Sequence, residues 1–312
     1  TLVETLLDMS FPSQADITVY AAGRSRRKLE KRFAAHSGDA RLKLLEGDVA
    51  HDDIFAGIPV DFIVHAASPA HPLAYSKTPV DVMQANLLGT MRMLELARCS
   101  GARLLFISSG EIYGISNDPE AAFTEREQGY IDILNPRSCY PESKRAAETL
   151  CASYHQQYGV DALAARLCHV YGPSITTENS RMDAQFLRCI LEQRDIVMKS
   201  PGTQVRSFCY VKDAVNGLLC ILEKGKAGEA YNVANRASVA SIREYAETLA
   251  RIGGVGVLRD FPPEEEKKGY SQVTRAVLDA SKLEALGWNP VYDMMRGLEE
   301  TYRLSRRSMA NG

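Results

Sequence analysis

The strongest constraint on the fold is an alternation. Short apolar runs rich in β-branched residues recur at 17–22, 42–46, 62–66, 104–108 and 162–167, and amphipathic stretches at 26–35, 79–98 and 141–158 lie between them. Strands joined through helices pair in parallel, because each crossover returns the chain to the same end of the sheet. The helices then cover both faces, which makes this an α/β chain built on a doubly wound parallel sheet. After Tyr171-Gly172-Pro173 the pattern loosens into helical stretches at 184–194, 213–223, 242–252 and 294–304, separated by Gly/Pro-rich pieces such as Ser200-Pro201-Gly202. Residues 1–172 are therefore expected to form the main domain. Residues 173–312 should form a smaller mixed α/β substrate lobe, with 206–232 returning to the main domain.

A sheet of this kind that binds a dinucleotide opens with a strand, a Gly-rich turn, and a helix whose N-terminus holds the pyrophosphate. This sequence opens with Thr1-Leu2-Val3-Glu4-Thr5-Leu6-Leu7, which looks like the body of that helix. The expected strand and glycines of the Rossmann-type fold are missing ahead of it. The cluster Gly253-Gly254-Val255-Gly256 follows a late helical stretch and suits a helix C-cap. The economical account is that the sequence starts after the phosphate loop.

The chemistry is concentrated in two segments. Tyr140 and Lys144 stand four residues apart, and Ile107-Ser108-Ser109-Gly110-Glu111 ends an apolar run upstream. Residues i and i+4 of a helix share a face, so the Lys144 ammonium is expected near the Tyr140 phenol. A free phenol titrates near pH ~10. A cation ~4 Å away is worth ~4 kcal/mol at an effective dielectric of ~20, or ~3 pKa units. Pro141 suits a first helical turn, which places Tyr140 near the positive end of the helix. Ser109, at a strand's carboxyl end where such sheets bind ligands, is positioned to hold a substrate oxygen against that phenol. This is apparatus for taking a proton from an alcohol while a hydride leaves its carbon.

Composition excludes other classes. The net charge is −2, and the densest basic stretch, Arg24-Ser25-Arg26-Arg27-Lys28, is too short to suggest nucleic acid. No apolar run approaches the ~18 residues a membrane span needs. Seven cysteines without a Cys-x-x-Cys pair read as reduced thiols of a cytoplasmic protein. No histidine spacing suggests a metal site.

Several segments, in order, carry a family resemblance: Asp48-Val49, His65-Ala66-Ala67-Ser68, Asn86-x-x-Gly89-Thr90, Ser109-Gly110-Glu111-x-Tyr113-Gly114, Tyr140-x-x-x-Lys144, Tyr171-Gly172-Pro173 and Arg206-Ser207-Phe208-Cys209-Tyr210. Together they resemble the extended short-chain dehydrogenase/reductases of the nucleotide-sugar epimerase/dehydratase group. Asn135-Pro136-Arg137-Ser138-Cys139-Tyr140 is most similar to UDP-glucuronate decarboxylases. The resemblance implies a nucleotide-sugar substrate and a recycled NAD. It also implies a homodimer and a role in nucleotide-sugar metabolism and polysaccharide biosynthesis. Ser109, Glu111, Tyr140 and Lys144 would be catalytic. Asp48, Val49, His65, Ala66 and Ala67 would line the cofactor together with Tyr140 and Lys144. Arg24 follows the second strand, where NAD-specific folds carry an acid, so NADP is possible. Ser109, Arg206, Arg275 and His169 would meet the substrate, although His169 stands where most relatives have an asparagine. Arg275 lies thirteen residues before Trp288, as does an arginine at the active site of such decarboxylases. In dTDP-glucose dehydratases an aspartic acid occupies the position of Gly110. Asp213 reads as a helix N-cap. A hexose 4,6-dehydratase, a 4-epimerase, and a silent NAD(P)-binding scaffold or sensor are the competing functions.

Overall fold

The computed structural model describes residues 1–9, 17–116, 118, 120–176, 179–261 and 273–310. In chain order the first half runs α1 (Leu2–Asp8), β1 (Val19–Gly23), α2 (Arg26–Arg32), β2 (Leu42–Glu46) and β3 (Phe62–His65). It continues α3 (Pro72–Lys77), α4 (Pro79–Ser100), β4 (Arg103–Ser109), α5 (Cys139–Tyr158) and β5 (Ala162–Leu167). Pro79 opens α4, where its missing N–H costs nothing. Gly101 and Gly159 close α4 and α5 in the left-handed region, at φ 73° and 70°. The second half holds β6 (His169–Tyr171), α6 (Met182–Leu191), β7 (Ile196–Met198), β8 (Val205–Tyr210), α7 (Val211–Lys224) and β9 (Ala230–Val233). It ends β10 (Val239–Ser241), α8 (Ile242–Gly253), β11 (Val257–Arg259), β12 (Arg275–Ala276), α9 (Ser281–Glu284) and α10 (Met294–Ala310).

The strands β3-β4-β5-β9 form one parallel sheet, and β1 pairs with β2 in a second parallel piece. Among the described residues β1 bonds only to β2, and β3 only to β4. Successive side chains of β4 point to opposite faces. Leu104 and Phe106 pack with Met93, Leu94, Ala147 and Cys151 of α4 and α5, whereas Leu105 packs with Leu218 and Ile221 of α7 and with Trp288. Burial on both faces explains why the run 104–108 is apolar without alternation.

β8 organises a third sheet, with β10 antiparallel and β6 and β12 parallel to it, over an aromatic core of Tyr171, Phe208, Tyr210 and Tyr245. Among the described residues no helix is long and apolar enough to cross a membrane.

Asp213 does not cap its own helix as expected. It lies in the first turn of α7, 1% exposed, and its carboxylate accepts the backbone N–H groups of Val291 at 3.1 Å and Tyr292 at 2.9 Å. Its carbonyl accepts the Trp288 indole at 3.0 Å. Tertiary pairing outcompetes the local cap because the Asp213 carboxylate is itself buried and needs donors, which these two amides supply. Asp213→Ala strands both amides and is expected to cost about 3 kcal/mol. An unchanged midpoint in chemical denaturation would contradict this.

Candidate active site

β4 delivers Ser109 to the carboxyl end of the sheet. Its hydroxyl accepts the Glu111 N–H at 3.2 Å and opens a 3₁₀ turn, Gly110–Tyr113. Gly114 follows at φ 66°, and a Cβ there would collide with the Tyr130 carbonyl. The close approach lets Ile115 and Tyr130 exchange two backbone hydrogen bonds at 2.9 Å. That contact returns the chain toward α5. It brings the Arg137 guanidinium onto the Glu111 carboxylate at 2.5 Å and over the ring of Tyr75, 5.1 Å from its centroid.

Tyr140 is the second residue of α5, as Pro141 suggested. Its ring stacks on Tyr75 with centroids 4.7 Å apart, and the Ser109 hydroxyl favours the charged form of its phenol. Lys144 is only 2% exposed. Its ammonium donates to the Ile107 carbonyl at 2.7 Å, 4.5 Å from the Phe106 ring centroid and 5.8 Å from that of Tyr140.

This differs from the expected depression of the phenol by Lys144. Burial pushes Tyr140 up to about 12, the Glu111 carboxylate adds to the rise, and the Ser109 hydrogen bond, Arg181 and Arg137 oppose it. Burial brings Lys144 down to about 7, against the field of Glu148 and Cys151. Desolvation outweighs the helical spacing: the lysine engages a strand carbonyl and lies against the tyrosine's ring, so burial favours the protonated phenol.

Beside this pair the expected cofactor residues cluster. His65 ends β3, 3% exposed, with Nε2 lacking any hydrogen-bond partner, and Ser68 Oγ and Asn86 Oδ1 are likewise buried and unpaired. Burial, then the Lys144 charge, drive His65 down to about 3, so it is neutral. Ala66 and Ala67 follow it, exposed. Gly89 of α4 makes room here: a Cβ would stand 3.1 Å from Val49 and 3.3 Å from the His65 ring. Asp48 accepts the Ala50 N–H at 2.9 Å and lies 3.9 Å from Arg24, whose side chain is 70% exposed. Unsatisfied polar atoms along the strand ends fit a polar ligand laid across them.

The expected substrate residues come from β6, β8 and β12. His169 Nε2 lies 3.2 Å from Asp183, which also meets Arg181 at 3.3 Å. Burial, and then Arg181, lower the proton affinity of His169. Burial alone would raise Asp183, but Arg181 and His169 hold it below the usual carboxylate range. Arg206 donates to the Val273 carbonyl at 2.7 Å, and burial lowers its pKa against the field of Glu111. Arg275 pairs with Val205 across the sheet, and its Nε is buried with no hydrogen-bond partner.

Arg137, Tyr75 and Arg181 went unrecognised in the sequence. Arg137 falls inside the quoted segment before Tyr140, and its place on a turn ahead of the helix was the available signal. Nothing in the spacing marks Tyr75 or Arg181.

A family description, the NAD dependent epimerase/dehydratase family, matches residues 2–234. The chain belongs to that family. Within the epimerase/dehydratase family it is similar to two Arabidopsis thaliana proteins. UDP-glucuronic acid decarboxylase 5 is 34% identical over 276 residues, and UDP-glucuronic acid decarboxylase 6 is 35% identical over 274; each match covers 86% of this chain and 76% of the relative. A double mutant of the dTDP-glucose 4,6-dehydratase DesIV from Streptomyces venezuelae, solved with NAD and DAU bound, is 26% identical with a TM-score of 0.82. That match covers 99% of this chain and 94% of the dehydratase.

Proposed function

We propose that the chain decarboxylates UDP-glucuronate to UDP-xylose through a 4-keto intermediate. The observation that carries this is the Glu111–Arg137 ion pair beside a buried phenol whose charged form the Ser109 hydroxyl favours. A fixed carboxylate and guanidinium flank the proton-transferring group, and Arg206 and the unpaired Nε of Arg275 add cationic character suited to an acid sugar nucleotide.

Asp48, Val49, His65, Ala66 and Ala67 would hold NAD, together with Tyr140, Lys144 and Arg24. NAD held there would supply the reversible hydride chemistry at C4 of the sugar. Tyr140 must first release its own phenolic proton to solvent; as the phenolate it would take the proton of the 4-hydroxyl, with Ser109 holding that oxygen. The resulting ketone is β to the C6 carboxylate. Carbon dioxide leaves, and the C5–C6 bond electrons pass into an enol across C4 and C5. One solvent-derived proton restores C5, and Tyr140 returns its proton to O4 as the ketone is reduced. Glu111 is then free to orient the carboxylate through Arg137.

Water elimination would want an acid where Gly110 stands. A Cβ at Gly110 would lie 3.1 Å from Leu278, so packing favours glycine there. Mass spectrometry of full-length protein incubated with UDP-glucuronate, dTDP-glucose and UDP-glucose tests the choice. Loss of carbon dioxide from the first is expected, whereas loss of water from a hexose, or an unchanged mass, would assign a dehydratase or an epimerase.

Residues 173–312 serve in this reading as the substrate lobe, and the protein works as a cytoplasmic homodimer. Val80, Met83, Leu88 and Met91 form an exposed apolar stripe on α4, with Met83 38% and Met91 43% exposed. Two such stripes in a two-fold pair would cover each other. Sedimentation at micromolar concentration is expected to give a dimer, and a monomer there would count against the pairing.

A further inference from the structure

Next to the Tyr140–Lys144 pair lies a buried charge cluster that the proposed reaction leaves unused. Glu148 follows Lys144 by one turn of α5, so the two side chains share a helix face. Its carboxylate meets Arg166 of β5 at 3.1 Å through Nε and 2.7 Å through Nη2, and each side chain is only 13% exposed. The Ser108 hydroxyl donates to the same carboxylate. Arg166 also donates to the Tyr113 hydroxyl at 2.9 Å and the Glu125 carbonyl at 2.8 Å. The carboxylate thus joins α5 to β5, and to β4 at the residue before Ser109. A cavity of about 630 Å³ bordered by Glu148 and Arg166 gives water access to the pair.

The other titratable groups facing Lys144 carry no charge at neutral pH. Tyr140 is a protonated phenol and His65 a neutral imidazole, and burial, then the Glu148 charge, push the Cys151 thiol up to about 12. Glu148 supplies the negative charge that favours the ammonium of Lys144. We infer that Glu148 is a positioning residue for this reaction. Its carboxylate is the fixed counter-charge of Lys144, oriented by Arg166 and coupled to the Ser109 strand end through Ser108. The inference rests on Tyr140 and Lys144 acting as the acid–base pair.

The test is the pH dependence of kcat/KM of full-length protein with NAD and whichever of the three sugar nucleotides it converts. Activity falls on the alkaline side as Lys144 loses its proton. Glu148 favours the protonated lysine, so Glu148→Gln is expected to move that fall to lower pH by about one unit, with about a tenfold loss at pH ~8. Arg166→Gln breaks the same ion pair but keeps the carboxylate, so it is expected to move the fall to higher pH. An ion pair that only stabilises the fold would lower thermal stability in both variants and move neither profile, and that result overturns the inference. Should Glu148→Gln not fold, Arg166→Gln decides alone: an alkaline movement supports the counter-charge role, and an unmoved or acid-shifted profile rejects it. Tyr140→Phe in the same assay separates the two ideas. Full activity there removes the acid–base assignment itself. An inactive Tyr140→Phe beside an unmoved Glu148→Gln removes only the role of Glu148.

Discussion

Tyr140→Phe is expected to lose at least ~100-fold in turnover while the protein stays folded. The substitution keeps the ring that stacks on Tyr75 at 4.7 Å and deletes only the phenolic hydroxyl. General acid–base catalysis contributes ~10²–10⁴-fold in such reactions. Burial, and then the Glu111 carboxylate, push the phenol up to about 12, so its proton transfer depends on the charges assembled around it. Steady-state turnover of the purified variant, with its folding verified by circular dichroism, checks this. Near-wild-type turnover would sink the proposed mechanism.

The second large effect concerns the choice of reaction. Arg275→Ala is expected to weaken use of UDP-glucuronate ~10-fold or more and to affect a neutral hexose nucleotide much less. The Nε of Arg275 is buried without a protein acceptor, which suits a group awaiting an anion. A charged hydrogen bond is worth ~1.5–3 kcal/mol, and 1.4 kcal/mol is about one decade in affinity. Competition between the acid sugar and a neutral hexose, measured on the wild type and the variant, reads the effect directly. Equal losses on both substrates would show that Arg275 supports the lobe without meeting the carboxylate. Release of water from a hexose by an enzyme that leaves UDP-glucuronate untouched would replace the decarboxylase with a dehydratase.

The parallel sheet was legible because its signals are local. β4 and β5 are short apolar runs between capped helices, and a strand buried on both faces shows itself in composition alone. The placement of Ser109 at a strand end and of Tyr140 and Lys144 on one helix was legible for the same reason, since helix period and strand end follow from spacing. Spacing did not show where the Lys144 charge would go. The Ile107 carbonyl lies on another element, and only the packed chain reveals that desolvation governs both Lys144 and Tyr140.

The same limit applies to Asp213 and Arg137. Asp213 reads as a cap by position, but its acceptors serve the amides of Val291 and Tyr292, far along the chain. Arg137 meets Glu111 only because Gly114 lets the segment around Tyr130 fold back over the strand end. By itself, then, the sequence determined the strands and helices of the parallel sheet, their order and the spacing of the candidate reacting residues, since each depends on neighbours a few positions away. Which charges face one another, and therefore which protons are held or released, was decided by tertiary packing, because Coulomb and desolvation energies depend on distances in space that separation along the chain does not encode.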